Sequence, residues 1–232
     1  MIVNQQNSAE RNVVAASRAD IGKGNGGYSI IEMLAVAAIL VVLTAISIPY
    51  AYNYNKLYRT EDQALKIIDM MQEAGQRALT RRRTVRFEID LTENKMHIID
   101  EPTTGPHQLI RSVDLLPTHE VMVDETPSGI TTPSPPDYPV AEFTNDNFGH
   151  TKPDGSAVTG NRVWQARYRS NGSVIGPDST PVPLNATLIL WPPKPGDPTV
   201  ANSLGEVRAL TLFAGSGAMK YWKYTGTEFI SH

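Results

Sequence analysis

The pattern of hydrophobic and polar positions divides the chain into three parts. Residues 1–27 contain no long apolar run and end in a cluster of glycines. Residues 33–55 carry no charge, and as a helix rising ~1.5 Å per residue these 23 residues would be about 35 Å long, against a hydrocarbon core of roughly 30 Å. We therefore predict a leader over residues 1–27, a membrane-spanning helix over residues 28–55 and a globular head over residues 56–232.

The head begins with a helical period. Between residues 56 and 81, apolar side chains recur at spacings of three and four, while charged side chains occupy the other positions. This pattern predicts an amphipathic helix with one face packed on a sheet. The predicted buried face consists of Ala64, Ile67, Ile68, Met71, Ala74, Ala78 and Leu79.

Strand signals follow this helix. Residues 85–89 alternate apolar and charged side chains, and a turn sequence precedes a second apolar run, so residues 84–100 predict a hairpin. Of the 17 prolines, 13 fall between residues 127 and 198, which indicates proline-rich loops there. The predicted fold class is α+β: a long N-terminal membrane-spanning helix that continues into a head helix packed on antiparallel β-sheet. Further predicted strands cover residues 109–115, 120–123, 163–169, 186–191, 207–213 and 220–224.

One acidic residue separates the interpretations of the apolar segment. A secretory signal peptide would be shorter and would end in a small-x-small site, whereas Pro49 and Tyr50 follow this run. A simple signal anchor accounts for the hydrophobicity but not for Glu32. A charged carboxylate costs about 2.5–3.5 kcal/mol at the centre of a membrane helix and less near its end. Glu32 therefore requires a partner.

The residues around Glu32 resemble a known processing motif. Gly27 is followed by Tyr28, and Glu32 stands at the fifth position after the glycine. This arrangement resembles the N-terminal cleavage and methylation site of type IV pilins and type II secretion pseudopilins. Pro49 falls at the twenty-second position, where many members of that family have a proline that loosens the helix. Family members usually have phenylalanine and threonine where this chain has Tyr28 and Ser29.

The resemblance implies a specific chemistry at the N-terminus. Prepilin peptidase would cut between Gly27 and Tyr28, and the new amino group of Tyr28 would be methylated. Glu32 of one subunit would then pair with the Tyr28 ammonium of its neighbour in a filament. Such buried pairs specify register more than they stabilise.

Further expectations follow from the same resemblance. The chain would be a single-pass protein of the inner (cytoplasmic) membrane, with its head in the periplasm or outside the cell, that enters an extracytoplasmic filament. Its partners would be the peptidase, other pilin or pseudopilin subunits, membrane lipid, and an inner-membrane assembly platform with its ATPase. Residues 167–173 also resemble the aromatic-x-x-(Asn/Asp)-Gly turn of the minor pseudopilin H and minor pilin T group, and residues 210–217 resemble its final strand and glycine turn. Alternatives are a DNA- or surface-binding minor pilin, and a membrane-anchored periplasmic domain of other function.

Other candidate chemistry in the sequence is weaker. Arg81, Arg82 and Arg83 belong to the one dense basic cluster and are candidates for nucleic-acid contact, but no aromatic residue interleaves to stack bases. With a net charge of −3, the whole chain does not attract nucleic acid. We therefore expect a solvated helix end followed by an outward-facing strand, and no nucleic-acid partner.

No pattern predicts catalysis or a cofactor. Residues 22–27 match G-x-G-x-x-G, but no strand precedes them, so the dinucleotide-binding context is missing. The chain has no cysteine, and its five histidines form no i, i+4 pair. The carboxylates and amides at residues 145–147 and 154 lack calcium-loop spacing. We predict that the chain is not an enzyme and has neither cofactor nor metal. Its three tryptophans, Trp164, Trp191 and Trp222, lie on predicted strands, where we expect them to pack in the core or on a sheet face.

Overall fold

The computed structural model describes residues 28–145, 148–177 and 181–231, with backbone alone for residues 49–57. The predicted leader, including Gly27, lies outside the described residues, as do Asp146 and Asn147 of the candidate calcium loop. Within the described residues the fold is α+β, with one long helix, one short 3-10 helix and three sheets. The chain divides into two compact units, residues 1–49 and 50–232.

Helix α1 (Ile30–Arg81) is 52 residues long. In the first unit its segment Ile30–Ile48 has a mean hydropathy of 2.6 and none of it is buried, so it is long and apolar enough to cross a membrane. The same criteria of length and hydropathy also admit a signal sequence near the N-terminus. The helix continues through Pro49, which has no backbone N–H to donate to the preceding turn. Loosening of the helix at Pro49 stays a prediction.

In the second unit, α1 buries most of the face that its periodicity predicts. Ala64, Ile67 and Ala74 are fully buried in the core. Leu79 is an exception, with 51% of its surface exposed. At ~100° per residue, Leu79 lies roughly 110° from the centre of the buried stripe, which explains why its spacing alone was misleading. Ile68, at the margin of the same stripe, is partly buried.

The strands occupy most of the positions that the sequence predicts. They are β1 (Thr84–Asp90), β2 (Lys95–Glu101), β3 (Gln108–Asp114), β4 (Thr144–Asn145), β5 (His150–Thr151), β6 (Ala157–Val158), β7 (Arg162–Tyr168), β8 (Val174–Ile175), β9 (Ala186–Leu190), β10 (Pro193–Lys194), β11 (Asp197–Ala201), β12 (Arg208–Leu212), β13 (Met219–Tyr224) and β14 (Phe229–Ser231). The predicted hairpin over residues 84–100 is confirmed as β1 and β2, paired antiparallel.

One predicted strand, residues 120–123, is wrong. The amide groups of Glu120 and Val121 both donate to the carbonyl of Pro117 at 2.8 and 3.0 Å, which makes a turn. Only a single bridge, from Met122 to Trp191, remains there. The alternation of apolar residues in this segment nevertheless corresponds to burial, since Val121 and Val123 are both buried.

The large sheet has the order β4-β7-β1-β2-β3-β5-β6, with β8 also paired to β7. Its pairs are antiparallel except β3 with β5. A second sheet has the order β14-β13-β12-β9, and β10 with β11 forms a third. The main hydrophobic core contains residues of α1 and of the two larger sheets. Trp164, Trp191 and Trp222 are all buried, as expected for packing in the core or on a sheet face.

Successive residues of a strand point to opposite faces of the sheet, and this divides β1 into two sets. Phe87 and its apolar neighbours belong to the hydrophobic core that includes α1. The alternate residues, Arg86, Glu88 and Asp90, are nevertheless 0% exposed. We name the second face of β1, β2 and β7 the polar face; it comprises Arg86, Glu88, Asp90, His97, Glu101, Gln165 and Arg167, all buried or partly buried.

Candidate functional site: an apolar helix with one carboxylate, and a buried polar face

The candidate processing and assembly residues lie at the start of α1. Tyr28 precedes the helix and is 77% exposed, and Glu32 stands in its first turn. The unpaired backbone N–H groups of a helix start give it a partial positive charge, so an acidic side chain is favourable in this turn. Glu32 is the single charged residue between positions 28 and 55. Pro49 lies within the same helix, beyond the apolar segment.

The surface of this helix beyond Glu32 is apolar and uncovered. Its two hydroxyl side chains bond to the helix itself: Thr44 Oγ1 donates to the carbonyl of Leu40 at 2.9 Å, and Ser47 Oγ donates to that of Leu43 at 2.7 Å. Neither hydroxyl therefore requires water or another chain as a partner. A continuous apolar surface of this kind suits lipid or a neighbouring helix. Its large exposed side chains include Ile30, Ile31, Met33, Leu34, Val36, Ile39, Leu40, Val41, Val42, Leu43, Ile46 and Ile48.

The arginine cluster at the end of α1 has carboxylate partners. Arg81 Nη1 lies 3.0 Å from Asp100 Oδ2, and Arg83 pairs with the same oxygen. Arg82 is exposed and has a left-handed backbone, with φ of 53°. Asp100 thus neutralises part of the positive charge that a phosphate would need, and it ties the helix end to β2.

The polar face differs from what the sequence predicts. The alternation in β1 led us to expect Arg86 on an outward-facing strand, whereas it is fully buried. Its Nη1 donates to the carbonyl of Phe148, and the Arg167 guanidinium lies 4.8 Å from the centre of the Phe148 ring. The segment that contains Phe148 and His150 therefore interacts with this face. The sequence offers no local signal for such a long-range covering.

Charges on the polar face are largely balanced. Arg86 Nε lies 3.5 Å from Glu88 Oε2 and 3.6 Å from Glu101 Oε1. Arg167 Nε donates to Glu101 Oε2 at 2.7 Å. The polar face has three carboxylates, those of Glu88, Asp90 and Glu101, and two guanidinium groups, so its formal charge is −1 when the histidines are neutral. Charged side chains that are buried this deeply require partners, because an isolated buried charge is strongly destabilising.

Two histidines that the sequence separates widely meet on this face. The His97 and His150 ring centroids are 5.4 Å apart, and His150 Nδ1 lies 3.8 Å from Glu88 Oε1. Burial lowers the pKa of His97 below its ordinary value, because desolvation outweighs the opposite effect of the nearby Asp90 and Glu93 carboxylates. A neutral imidazole is the form of histidine that binds metal ions. Sequence spacing could not find this pair, because β5 reaches the sheet by a long connection.

A surface cleft of about 810 Å³ opens beside β7, within the size range of small-molecule sites. Its lining is a mixture of apolar, amide and hydroxyl side chains, with Glu142 as its carboxylate. Among the described lining residues there is no histidine, lysine or serine to pair with Glu142. The cleft therefore offers shape without a nucleophile and base in reach of each other.

The described residues form an α+β protein. Among them, one helix segment, Ile30–Ile48 of α1, is long and apolar enough to anchor the protein in a membrane. No family model, curated protein or solved structure matches the chain.

Proposed function

We propose that the chain is a prepilin-like subunit, cut after Gly27 and then assembled into a filament of a type II secretion or type IV pilus-like apparatus. The observation that carries this proposal is Glu32, five positions after Gly27 and in the first turn of α1. It is the one charged residue in the stretch from residue 28 to residue 55. An ordinary membrane anchor has no use for a charge at that place.

Glu32 acquires its partner through processing. Cleavage after Gly27 creates an ammonium group on Tyr28, one helical turn from Glu32. In a filament, the ammonium group of one subunit meets the Glu32 carboxylate of the next, so that both charges are neutralised away from water. Because an unmatched charge in that environment is strongly disfavoured, the pair also sets the axial register between subunits.

The helix surface provides the remaining contacts for assembly. Residues 30–48 exchange lipid for neighbouring helices, and packing rather than the hydrophobic effect drives this step, since lipid and side chains are equally apolar. The head stays outside the cytoplasm, in the periplasm or beyond. Subunits leave the membrane with the help of an assembly platform and its ATPase. The resemblance of residues 167–173 to the group's Asn-Gly turn, and of residues 210–217 to its final strand and glycine turn, supports membership of the minor pseudopilin H and minor pilin T group.

The absence of cysteine from the chain permits a sharp test with two single-cysteine variants. Ser17→Cys places a fluorescent label in the leader, and Ser128→Cys places one on an exposed position of the head. When membranes that contain each labelled variant are treated with prepilin peptidase, the first label is expected to leave with the leader. The second is expected to remain on a chain shortened by residues 1–27, as measured by mass spectrometry.

Three outcomes of this test are distinct. Cleavage after residue 27 in the labelled chains, together with no cleavage when Gly27 is replaced with leucine, supports the proposal. A chain that stays intact in both variants is a simple signal anchor. A chain cut beyond residue 48 carries a secretory signal peptide, and either of these last two results overturns the proposal.

A further inference from the structure

We propose that Glu88, His97 and His150 form a binding site for one divalent transition-metal ion, with Zn²⁺ as its representative. All three residues are buried, and their candidate ligand atoms lie within 4.8 Å of one another. Two imidazoles and one carboxylate are a ligand set used by zinc and non-haem iron sites. The site is independent of the processing chemistry at Gly27 and Glu32.

His97 provides the strongest single indication. Its side chain is 1% exposed, and neither ring nitrogen makes a hydrogen bond to any described residue. Burying a ring whose nitrogens make no hydrogen bonds lowers the stability of the fold, because nothing compensates for the loss of their hydration. Its closest carboxylate contact, Asp90 Oδ2 to Nε2, is 3.9 Å and too long for a hydrogen bond. A metal ion would compensate this burial directly.

The spacing of the ligands fits a small ion. Around a tetrahedral zinc with bonds of about 2.0–2.1 Å, neighbouring ligand atoms are roughly 3.3 Å apart. The Glu88 Oε1 to His150 Nδ1 distance of 3.8 Å is within a few tenths of an ångström of that value. The excess negative charge of the polar face further favours a cation.

Supporting residues hold the carboxylate in place. Gln165 Nε2 donates to Glu88 Oε2 at 3.1 Å, so this contact fixes one oxygen while the other faces His150. Side chains that orient a ligand in this way are a regular part of metal sites. Asp90 lies beside His97 and adds a negative charge next to the ring.

A second grouping of the same kind, Asp90 with Glu93 and His97, is less suitable. Asp90 already accepts hydrogen bonds from the amides of Thr92 and Glu93 and from Asn161 Nδ2, at 2.5–2.9 Å. Glu93 pairs with Lys152 Nζ at 2.5 Å. Binding there would disrupt these contacts, whereas the first grouping keeps them.

The ion would also act on the architecture. His150 belongs to β5, a strand of two residues whose pairing with β3 has a single register position, Gln108 with Thr151. A metal bound to His150 would connect this short strand to β1 through Glu88 and to β2 through His97. The position of the segment that contains Phe148 and His150 on the polar face would then depend on the ion.

The test measures Zn²⁺ binding to the full chain in detergent, without a polyhistidine tag, by competition with a chromophoric chelator. We expect one Zn²⁺ per chain, with a Kd at or below roughly 1 μM. His97→Gln and His150→Gln are each expected to weaken binding by at least ~10-fold. His119→Gln, which removes an exposed histidine elsewhere, is the matched control and is expected to bind as the unaltered chain does.

Co²⁺ absorption provides a measurement that does not depend on variants. The unaltered chain is expected to give visible bands of a four-coordinate nitrogen and oxygen site, and Zn²⁺ is expected to displace them. Circular dichroism shows whether each variant folds; if neither glutamine variant does, the Co²⁺ spectrum of the unaltered chain decides. Absence of stoichiometric binding, unchanged affinity in a folded His97→Gln chain, or an equal loss in His119→Gln would overturn the proposal.

Discussion

Replacing Glu32 with leucine is expected to exclude the chain from filaments while leaving it in the membrane. In the proposed filament, the substitution would leave the Tyr28 ammonium of the neighbouring subunit without a partner in an apolar environment. Breaking a buried pair in this way costs about 3–5 kcal/mol, which corresponds to a loss of incorporation of roughly 10²- to 10⁴-fold. Membrane insertion is expected to be unimpaired, because leucine is more favourable than glutamate in an apolar helix.

The measurement is the amount of each variant in sheared, purified filaments relative to the amount in membranes, in cells that contain the assembly apparatus. Glu142→Leu is the matched control, since it makes the same chemical change at an exposed position of the head. It should enter filaments as the unaltered chain does. Normal incorporation of Glu32→Leu would remove the reason for the carboxylate and would contradict the assembly proposal.

The largest expected effect on stability comes from Phe87→Ala. Phe87 is fully buried in β1, and its ring meets Trp164 edge-on, with centroids 6.3 Å apart and planes inclined at 70°. Its removal leaves a cavity in the core shared with α1, so the free energy of unfolding is expected to fall by about 3–5 kcal/mol. Denaturant unfolding of the full chain in detergent, followed by tryptophan fluorescence, measures this change.

Leu204→Ala is the control for this experiment, because Leu204 is 47% exposed. Its effect is expected to stay within about 0.5 kcal/mol. Equal effects of the two substitutions would mean that Phe87 is not the core residue that the structure indicates.

The elements that depend on local periodicity were predictable from the sequence. The helical stripe around Ile67 and Met71 is buried as expected, and β1 is a strand where the alternation of the sequence predicts one. Strands such as β11, which contains Pro198, escaped prediction because proline is rare within strands. The strand predicted at residues 120–123 is wrong for a different reason: the backbone amides that would pair with another strand donate to a turn carbonyl instead.

The N-terminal motif and the polar face also differ in how far they depend on local sequence. The motif at Gly27, Tyr28 and Glu32 is contiguous in the chain, so the sequence alone is sufficient to propose it. The polar face is not contiguous: His97 and His150 meet because β5 pairs with β3, and that register is set by tertiary packing. For the same reason, the alternation of Arg86 and Glu88 with apolar residues indicated an exposed face where the structure has a buried one.

The most direct test of the proposed function is the chemical identity of the N-terminus. The protein should be isolated from its native membrane and its N-terminal peptide analysed by mass spectrometry. We expect a chain that begins at Tyr28 and bears a methyl group on its amine. A chain that retains Met1, or one that begins beyond residue 48, would contradict the account.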